Sequence, residues 1–424
     1  MRKLLGLGLA VASGFSLLSP ASAQQSYMPI LNRYDSQLST NHSTPARPSG
    51  WGRLVQDPVT PSAVPAEPTP AADAASAPTP PAAAAESGSG CKTSGSCNSS
   101  YFDQGNCGRD ANWVIGVGGL AFRRDYEDDL GLSAVPSDLS QYLNSTSAKM
   151  GTMGGVEVSA TRRGCDGSGF EVRYWGLYPD TSEALLSNSP YTNLVNLNQV
   201  EFGGFPVSQV YNRGFVHGVY RDNTFHNLEF NFLRALGSSD CGNRNWEWLA
   251  GFRYFSFDED FSYATFTQAA SYPPEFYYEN CVENDLYGFQ VGARSERCWS
   301  GRWGTQFGTK VGIYTNHIEA CQAMHDAFPA YAVITSGPYA GTDYTFESSK
   351  DDFAMAGELN LGLTYQWNCN WRSLLGYRAI GVSGVALAPD QIPVNFSDAQ
   401  DIQRIKSNGS LILHGVYFGV ERCF

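Results

Sequence analysis

The segment Asn245–Phe257 reads NWEWLAGFRYFSF. Taken alternately, Trp246, Trp248, Ala250, Phe252 and Tyr254 fall on one face, and Glu247, Leu249, Gly251, Arg253 and Phe255 on the other. Period two with one apolar face is the pattern of a half-buried strand. The second face is the more informative. A glutamate, an arginine and a glycine sit deep inside a strand of about ten residues, which suits a wet or hydrogen-bonded interior. A face meeting bulk water would be expected to be richer in Lys, Thr and Ser.

The same pattern recurs through the second half of the chain. Phe353–Trp367 sets Met355, Leu359, Leu361, Leu363, Tyr365 and Trp367 against Glu358, Asn360, Gly362, Thr364 and Gln366. Trp303–Tyr314 sets Trp303, Phe307, Val311 and Ile313 against Gln306, Gly308, Lys310 and Gly312. Phe170–Tyr178, Phe225–Leu236 and Trp371–Val382 place Glu171 and Arg173, then Glu229 and Asn231, then Arg372 and Arg378, on their polar faces. From Trp113 onward there are ten candidate strands, or twelve if the 179–223 connection holds another hairpin.

Their connections are sided. Short turns carrying Cys165, Cys241, Cys298 and Cys369 alternate with long stretches over roughly 124–150, 179–223, 258–284, 315–352 and 383–408. Short turns at one end and long loops at the other is the layout of bacterial outer-membrane barrels. Trp113, Trp246, Trp248, Trp303, Trp367 and Trp371 flank the short turns and predict an inner aromatic girdle. Tyr178, Tyr254, Phe257 and Tyr314 are expected toward the outer girdle. The expected fold is all-β: a closed antiparallel transmembrane barrel over residues 107–424.

Composition agrees. The 424 residues hold 44 Gly and 13% aromatics, with only 16% charged residues. Net charge is -13; without Arg2 and Lys3 of the N-terminal signal, 26 basic residues face 41 acidic ones, giving -15. That balance argues against nucleic-acid binding, which needs clustered Lys and Arg. Residues 1–23 read as a cleaved export signal: Arg2-Lys3, an apolar run from Leu4 to Leu18, and Ala21-Ser22-Ala23 as the cleavage site. Beyond it no apolar run approaches the roughly 18 residues of a transmembrane helix. Residues 24–106, nearly all Ala, Pro, Ser, Thr and Gly between Asp57 and Gly90, read as a disordered periplasmic linker that spaces the barrel or touches the cell wall.

Leu374–Arg378 (LLGYR), continuing through Gly384–Ile392 (GVALAPDQI), resembles the outer-membrane β-barrel porin 7 family. The strand–turn–strand layout and the terminal Phe424 fit it too, over roughly residue 107 to the end. The resemblance implies an outer-membrane barrel and a pore, and it supplies no catalytic residues. The last strand, Leu411–Phe424, ends on an aromatic, like the signal read by the barrel assembly machinery; Arg422, on its outward face, departs from the usual apolar residue.

Candidate chemistry is sparse. His317, Cys321 and His325 are spaced to share one face of a short helix, with Asn316 and Glu319 as a capping box and Pro329 as its stop. Such a face could ligate a metal, but a disulfide-bonded Cys321 is no ligand, and that second reading is preferred. No metal and no cofactor are assigned. Cys281–Cys321 is the expected external bridge, with Cys107–Cys423 and Cys91–Cys97 as further candidates. The acidic clusters Asp125/Glu127/Asp128/Asp129 and Asp258/Glu259/Asp260 are expected at external loop edges, as solvated surface or as calcium or lipopolysaccharide contacts. His217 and His226 are the remaining rim candidates for catalysis; no G-x-S-x-G is present, and no enzyme activity is assigned.

The expected function is a porin-like outer-membrane channel for small solutes or ions. Glu171, Arg173, Glu229, Glu247, Arg253, Arg294, Lys310, Glu358, Arg372, Arg378 and Glu421 would project into its lumen. The alternative is a non-conducting barrel that binds partners through its loops or anchors the envelope. Ten strands lie near the limit at which side chains fill a barrel, so both readings stay open.

Overall fold

The computed structural model describes residues 112–424 apart from 126–128, 150, 165–166, 179–180, 195, 239–243, 301, 329 and 369. Ten antiparallel strands form one sheet that closes on itself. They are β1 (Asn112–Asp125), β2 (Met153–Arg163), β3 (Ser168–Tyr178), β4 (Val216–Ser238) and β5 (Arg244–Phe266), then β6 (Glu275–Ser300), β7 (Trp303–Asp326), β8 (Thr345–Gln366), β9 (Trp371–Val385) and β10 (Gly409–Cys423). Each pairs with the next in sequence, and β10 returns to β1 with Val114 opposite Cys423 and Asp125 opposite Ile412. Among the described residues no eleventh or twelfth strand enters the ring. The 179–215 connection gives instead Ser182–Leu186, which continues the line of β3 against the upper part of β4, and short pieces folded over the mouth.

The strands differ greatly in height. β4 to β8 run 22 to 26 residues, while β1, β2, β3, β9 and β10 run 11 to 15. At about 3.3 Å per residue, a typical difference of about ten residues is roughly 30 Å of extra strand on the tall side. Three connections rising from short strands, 126–152, 179–215 and 386–408, fold against the inner faces of the tall ones.

That height corrects three expected loops. The stretch 258–284 is ladder except for 267–274, 315–352 is ladder except for 327–344, and β4 begins at Val216. The His317–His325 segment is therefore not a helix. It is the upper part of β7, paired to β6 and, as far as Ala323, to β8, with His317, Glu319, Cys321, Ala323 and His325 alternating outward. The capping-box letters occur inside a strand whose inward Ile318, Ala320 and Met324 are buried.

Inner-face glycines make room for large side chains. The Tyr314 ring lies over Gly312, where an added Cβ would collide with the phenol oxygen, and the Tyr417 ring lies over Gly362 and Gly376. In β9 the bulge between Ser383 and Val385 is made by Gly384 at φ 81°, a conformation only glycine adopts freely.

Candidate functional site

The inner faces stack into layers that can be followed along a single strand. On β5 the inward residues run Glu247, Leu249, Gly251, Arg253, then Phe255 and Phe257, then Glu259, then Phe261 and Tyr263. Each change of chemistry marks a layer across the ring.

The layer nearest the short turns is ionic. Arg372 bonds Glu421 at 2.6 Å and Glu296 at 2.9 Å, Arg163 pairs with Glu247, and Arg294 reaches Glu171 at 3.0 Å and Glu247 at 3.8 Å. Above it, Lys310 bridges Glu229 (2.9 Å) and Glu358 (3.1 Å), Arg253 bonds Glu358 at 3.0 Å, and Arg378 bonds Glu157 at 2.6 Å. Arg173 joins Glu157 (3.2 Å) to Glu171 (3.4 Å). Asn227, Asn231, Gln290 and Asn360 occupy remaining bonding positions. About half of these ion pairs join strands that are not neighbours in the ring. Arg253 on β5 meets Glu358 on β8, Lys310 on β7 meets Glu229 on β4, and Arg378 on β9 meets Glu157 on β2. They are struts across the lumen.

Among the described residues seven cations (Arg163, Arg173, Arg253, Arg294, Lys310, Arg372, Arg378) meet seven carboxylates (Glu157, Glu171, Glu229, Glu247, Glu296, Glu358, Glu421). The formal charges cancel, as buried ions require. A cavity of about 60 Å³ remains, bordered by Gly116, Gly118, Ser159, Thr161 and Tyr417. That is room for a few waters and far below the roughly 300 Å³ of a small-molecule cleft.

All eleven polar positions selected from the sequence lie on this inner face. Three further members, Glu157, Glu296 and Arg163, escape that selection. The signal for Glu157 is the alternation Val156-Glu157-Val158, and Glu296 shares the face of Arg294, two residues away. Arg163 borders the Gly164-Cys165 turn, where alternation gives no guidance.

Next comes an aromatic layer. Phe122, Trp175, Phe225, Phe255 and Phe257 pack with Leu286, Ile380, Leu411 and Leu413. The Phe225 and Phe257 rings stack at 4.8 Å between centroids. Phe257 and Tyr314 therefore belong inside, not to the outer girdle: each is an odd number of residues from an outward neighbour on its own strand, Tyr254 and Ile313. A second ionic cluster lies above. Glu259 pairs with Arg124 at 3.0 Å and with Arg221, and accepts the backbone N–H of Ala388 at 3.0 Å. Glu259 is thus a buried strut, not part of an exposed acidic edge; Glu127 and Asp128 lie outside the described residues.

The outermost layer is an apolar core. Phe261, Tyr263, Phe276, Tyr278, Ile318 and Met324 of the tall strands pack against Leu132, Val210, Tyr211, Ile392 and Phe396 of the folded connections. His217 is buried here. Its Nδ1 lies 2.7 Å from Ser133 Oγ, and its Nε2 lies 2.9 Å from the Tyr211 carbonyl oxygen, the acceptor for an Nε2–H. Burial pushes its pKa down to about 4. The Ser–His contact thus has a backbone carbonyl where a hydrolytic triad has a carboxylate. His226 faces outward, between Tyr174 and Tyr178. His317 bonds Asp351 at 2.6 Å, which holds its pKa above the ordinary value. Among the described residues no three His, Cys, Asp or Glu side chains are grouped to hold a metal.

Cys281 and Cys321, directly opposite on β6 and β7, form a disulfide with their Cα atoms 5.1 Å apart. Cys423 carries a free thiol. Cys91, Cys97 and Cys107 lie outside the described residues, as do the export signal and linker.

The outer faces invert the inner ones. Ile115, Val117, Phe170, Phe230, Phe289, Val311, Leu361 and Phe418 form an exposed apolar belt, with Phe289 71% exposed. Trp113, Trp248, Trp299, Trp303, Trp367 and Trp371 edge it at the short-turn end. Arg422 is accommodated there by its guanidinium lying over Phe424 (4.5 Å) and Trp371 (5.3 Å). Above the belt, Asp258, Asp260, Glu279, Glu283, Asp285 and Glu319 occupy the outward positions of the tall strands.

A ring whose broad apolar surface is a bare outer belt needs acyl chains around it. The family model Putative beta barrel porin-7 (BBP7) matches residues 151–424. No curated protein matches the chain. Among solved structures it is similar to the outer membrane protease OmpT from Escherichia coli, at 9% identity and TM-score 0.37, covering 76% of this chain and 100% of that one. It is also similar to a major outer membrane protein from Thermus thermophilus, at 10% identity and TM-score 0.31, covering 74% and 99%. A third likeness is to the Pseudomonas putida toluene transporter TodX, at 8% identity and TM-score 0.26, covering 75% and 89%. The chain belongs to the Putative beta barrel porin-7 family, and it is an outer-membrane β-barrel.

Proposed function

We propose that this barrel is a non-conducting membrane anchor that presents a rigid head at the cell surface and binds partners there. The observation that supports this reading is the stack along its axis. Fourteen paired charges, an aromatic layer, the Arg124–Glu259–Arg221 cluster and an apolar core follow one another on the inner face. A solute on that axis would have to part charge pairs made across the lumen and then a core packed like that of a soluble domain. In this reading Glu171, Arg173, Glu229, Glu247, Arg253, Arg294, Lys310, Glu358, Arg372, Arg378 and Glu421 are cross-links rather than a selectivity filter. Residues 24–106 are a periplasmic tether able to meet the cell wall, and the last strand, ending at Phe424, is what the assembly machinery reads.

The test is planar-bilayer conductance of the purified full chain. A folded, inserted and electrically silent barrel is expected. Reproducible unitary steps, shifted in ion selectivity by Glu358→Gln or Glu247→Gln, would restore the passive channel for small solutes or ions.

A further inference from the structure

The lipid-facing belt is not uniform. Across β6 to β10, on the short-turn half, it holds a hollow of about 910 Å³. Its shape follows from the side chains. Ser295 and Thr305 are small outward residues at its floor, while Trp299, Phe307, Leu361, Leu375 and Tyr377 stand around them. The Trp299 indole N–H donates to Thr305 Oγ1 at 3.1 Å, which fixes the indole beside the hollow. Arg297 lies opposite Thr305 in the ladder and lines the same hollow.

Arg297 differs from two other outward arginines near the short turns. Arg162 lies over Trp113 and Arg422 over Trp371 and Phe424. Among the described residues Arg297 has neither a ring nor a carboxylate partner, and no outward carboxylate side chain occurs on the short-turn half of the belt. An exposed guanidinium at the tryptophan girdle, beside an apolar hollow already in contact with lipid, complements a phosphate carrying acyl chains. We infer that the hollow binds one diacyl glycerophospholipid of the periplasmic leaflet, with its phosphate on Arg297 and an acyl chain over Thr305, against Phe307. Charge selects the headgroup, and continuity with the belt supplies the chain's surroundings.

The full chain, purified in mild detergent and titrated with palmitoyl-oleoyl phosphatidylglycerol, is examined by native mass spectrometry. One lipid is expected to bind with higher affinity than any further ones. Arg297→Gln should weaken that first binding about tenfold, as loss of a charge-assisted contact does. Thr305→Trp, which fills the hollow, should abolish it, while Arg422→Gln should leave it unchanged. Circular dichroism and heat-dependent gel mobility report folding. If Thr305→Trp does not fold, the exposed Arg297→Gln decides alone. Equal first-lipid affinity in wild type and Arg297→Gln overturns the assignment. So does a doubled mass that Thr305→Trp returns to one chain, which would give the hollow to a second copy.

Discussion

Strand β7 lives in two solvents. In its first half Phe307, Val311 and Ile313 point out and are exposed, while Gln306 and Lys310 point in. In its second half His317, Glu319 and Cys321 point out, and Ile318, Ala320 and Met324 point in and are buried. The alternation never slips, since Trp303 to Asp326 pairs residue by residue with β6 but for one shift at the turn. Only the assignment of apolar and polar faces reverses, between Ile313 and Ile318. Strand β5 reverses likewise between Arg253 and Phe261. Below that level the surroundings are acyl chains and the interior is ionic. Above it the surroundings are water and the interior is a protein core. Side-chain period reports the sheet; the phase of that period reports what surrounds it.

The largest expected effect tests the ionic half. Glu358 receives Lys310 and Arg253, and Arg378 approaches it at 3.7 Å. Glu358→Gln should cost about 3–5 kcal/mol, because it leaves buried cations short of a carboxylate. Denaturant unfolding in detergent or lipid measures it. A loss below about 1 kcal/mol would mean that water screens the lumen, contrary to the closed reading.

The apolar half should answer to acid instead. His217 titrates near 4 in the folded chain because it is buried, against 6.5 ordinarily. Between those pH values the unfolded chain binds a proton that the folded one does not, so stability is lost as pH falls from about 6.5 to 4. The full loss is about 3 kcal/mol. Hydrogen exchange of the head's amides should quicken over that window, and His217→Gln should remove the window. The belt strands should not follow it.

The same two halves explain what can be read from the sequence. Strand number, the short turns, the belt and the inward Glu and Arg residues are legible because a lipid-facing strand shows large apolar residues against polar ones. Legibility ends where the phase reverses. His317-Ile318-Glu319-Ala320-Cys321 still alternates, but its apolar members are modest and lie on the opposite face from Phe307 and Val311, so it resembles an amphipathic loop helix. The closure of the lumen is illegible for a different reason. Which glutamate meets which arginine across a ring depends on stagger between non-adjacent strands, as with Arg294 on β6 and Glu171 on β3.

A pair of substitutions on one outward face sharpens the reversal. Val311→Arg places a charge against acyl chains and should cost about 2–4 kcal/mol. Glu319→Arg, further along the same face, meets water and should change stability by no more than about 0.5 kcal/mol. Denaturant unfolding in lipid vesicles compares them. Equal costs would remove the boundary between the two halves.

The smallest of the main effects belongs to the disulfide. Cys281 and Cys321 bridge β6 and β7 above the belt, facing out from a ladder that already pairs these strands from Phe276–Asp326 downward. A cross-link stabilises chiefly by limiting the unfolded chain, typically by about 2–4 kcal/mol. Here it closes a segment with a sequence separation of 40, containing the entire β6–β7 turn. The double variant Cys281→Ser/Cys321→Ser should lose about 2 kcal/mol, the low end of that range, if the belt portion of the hairpin stays paired when the head opens. Exchange should then rise in 276–286 and 314–326 and remain slow in 287–313. Uniform acceleration along both strands would show that head and belt unfold as one unit, and that the reversal of phase divides their surroundings without dividing their cooperativity.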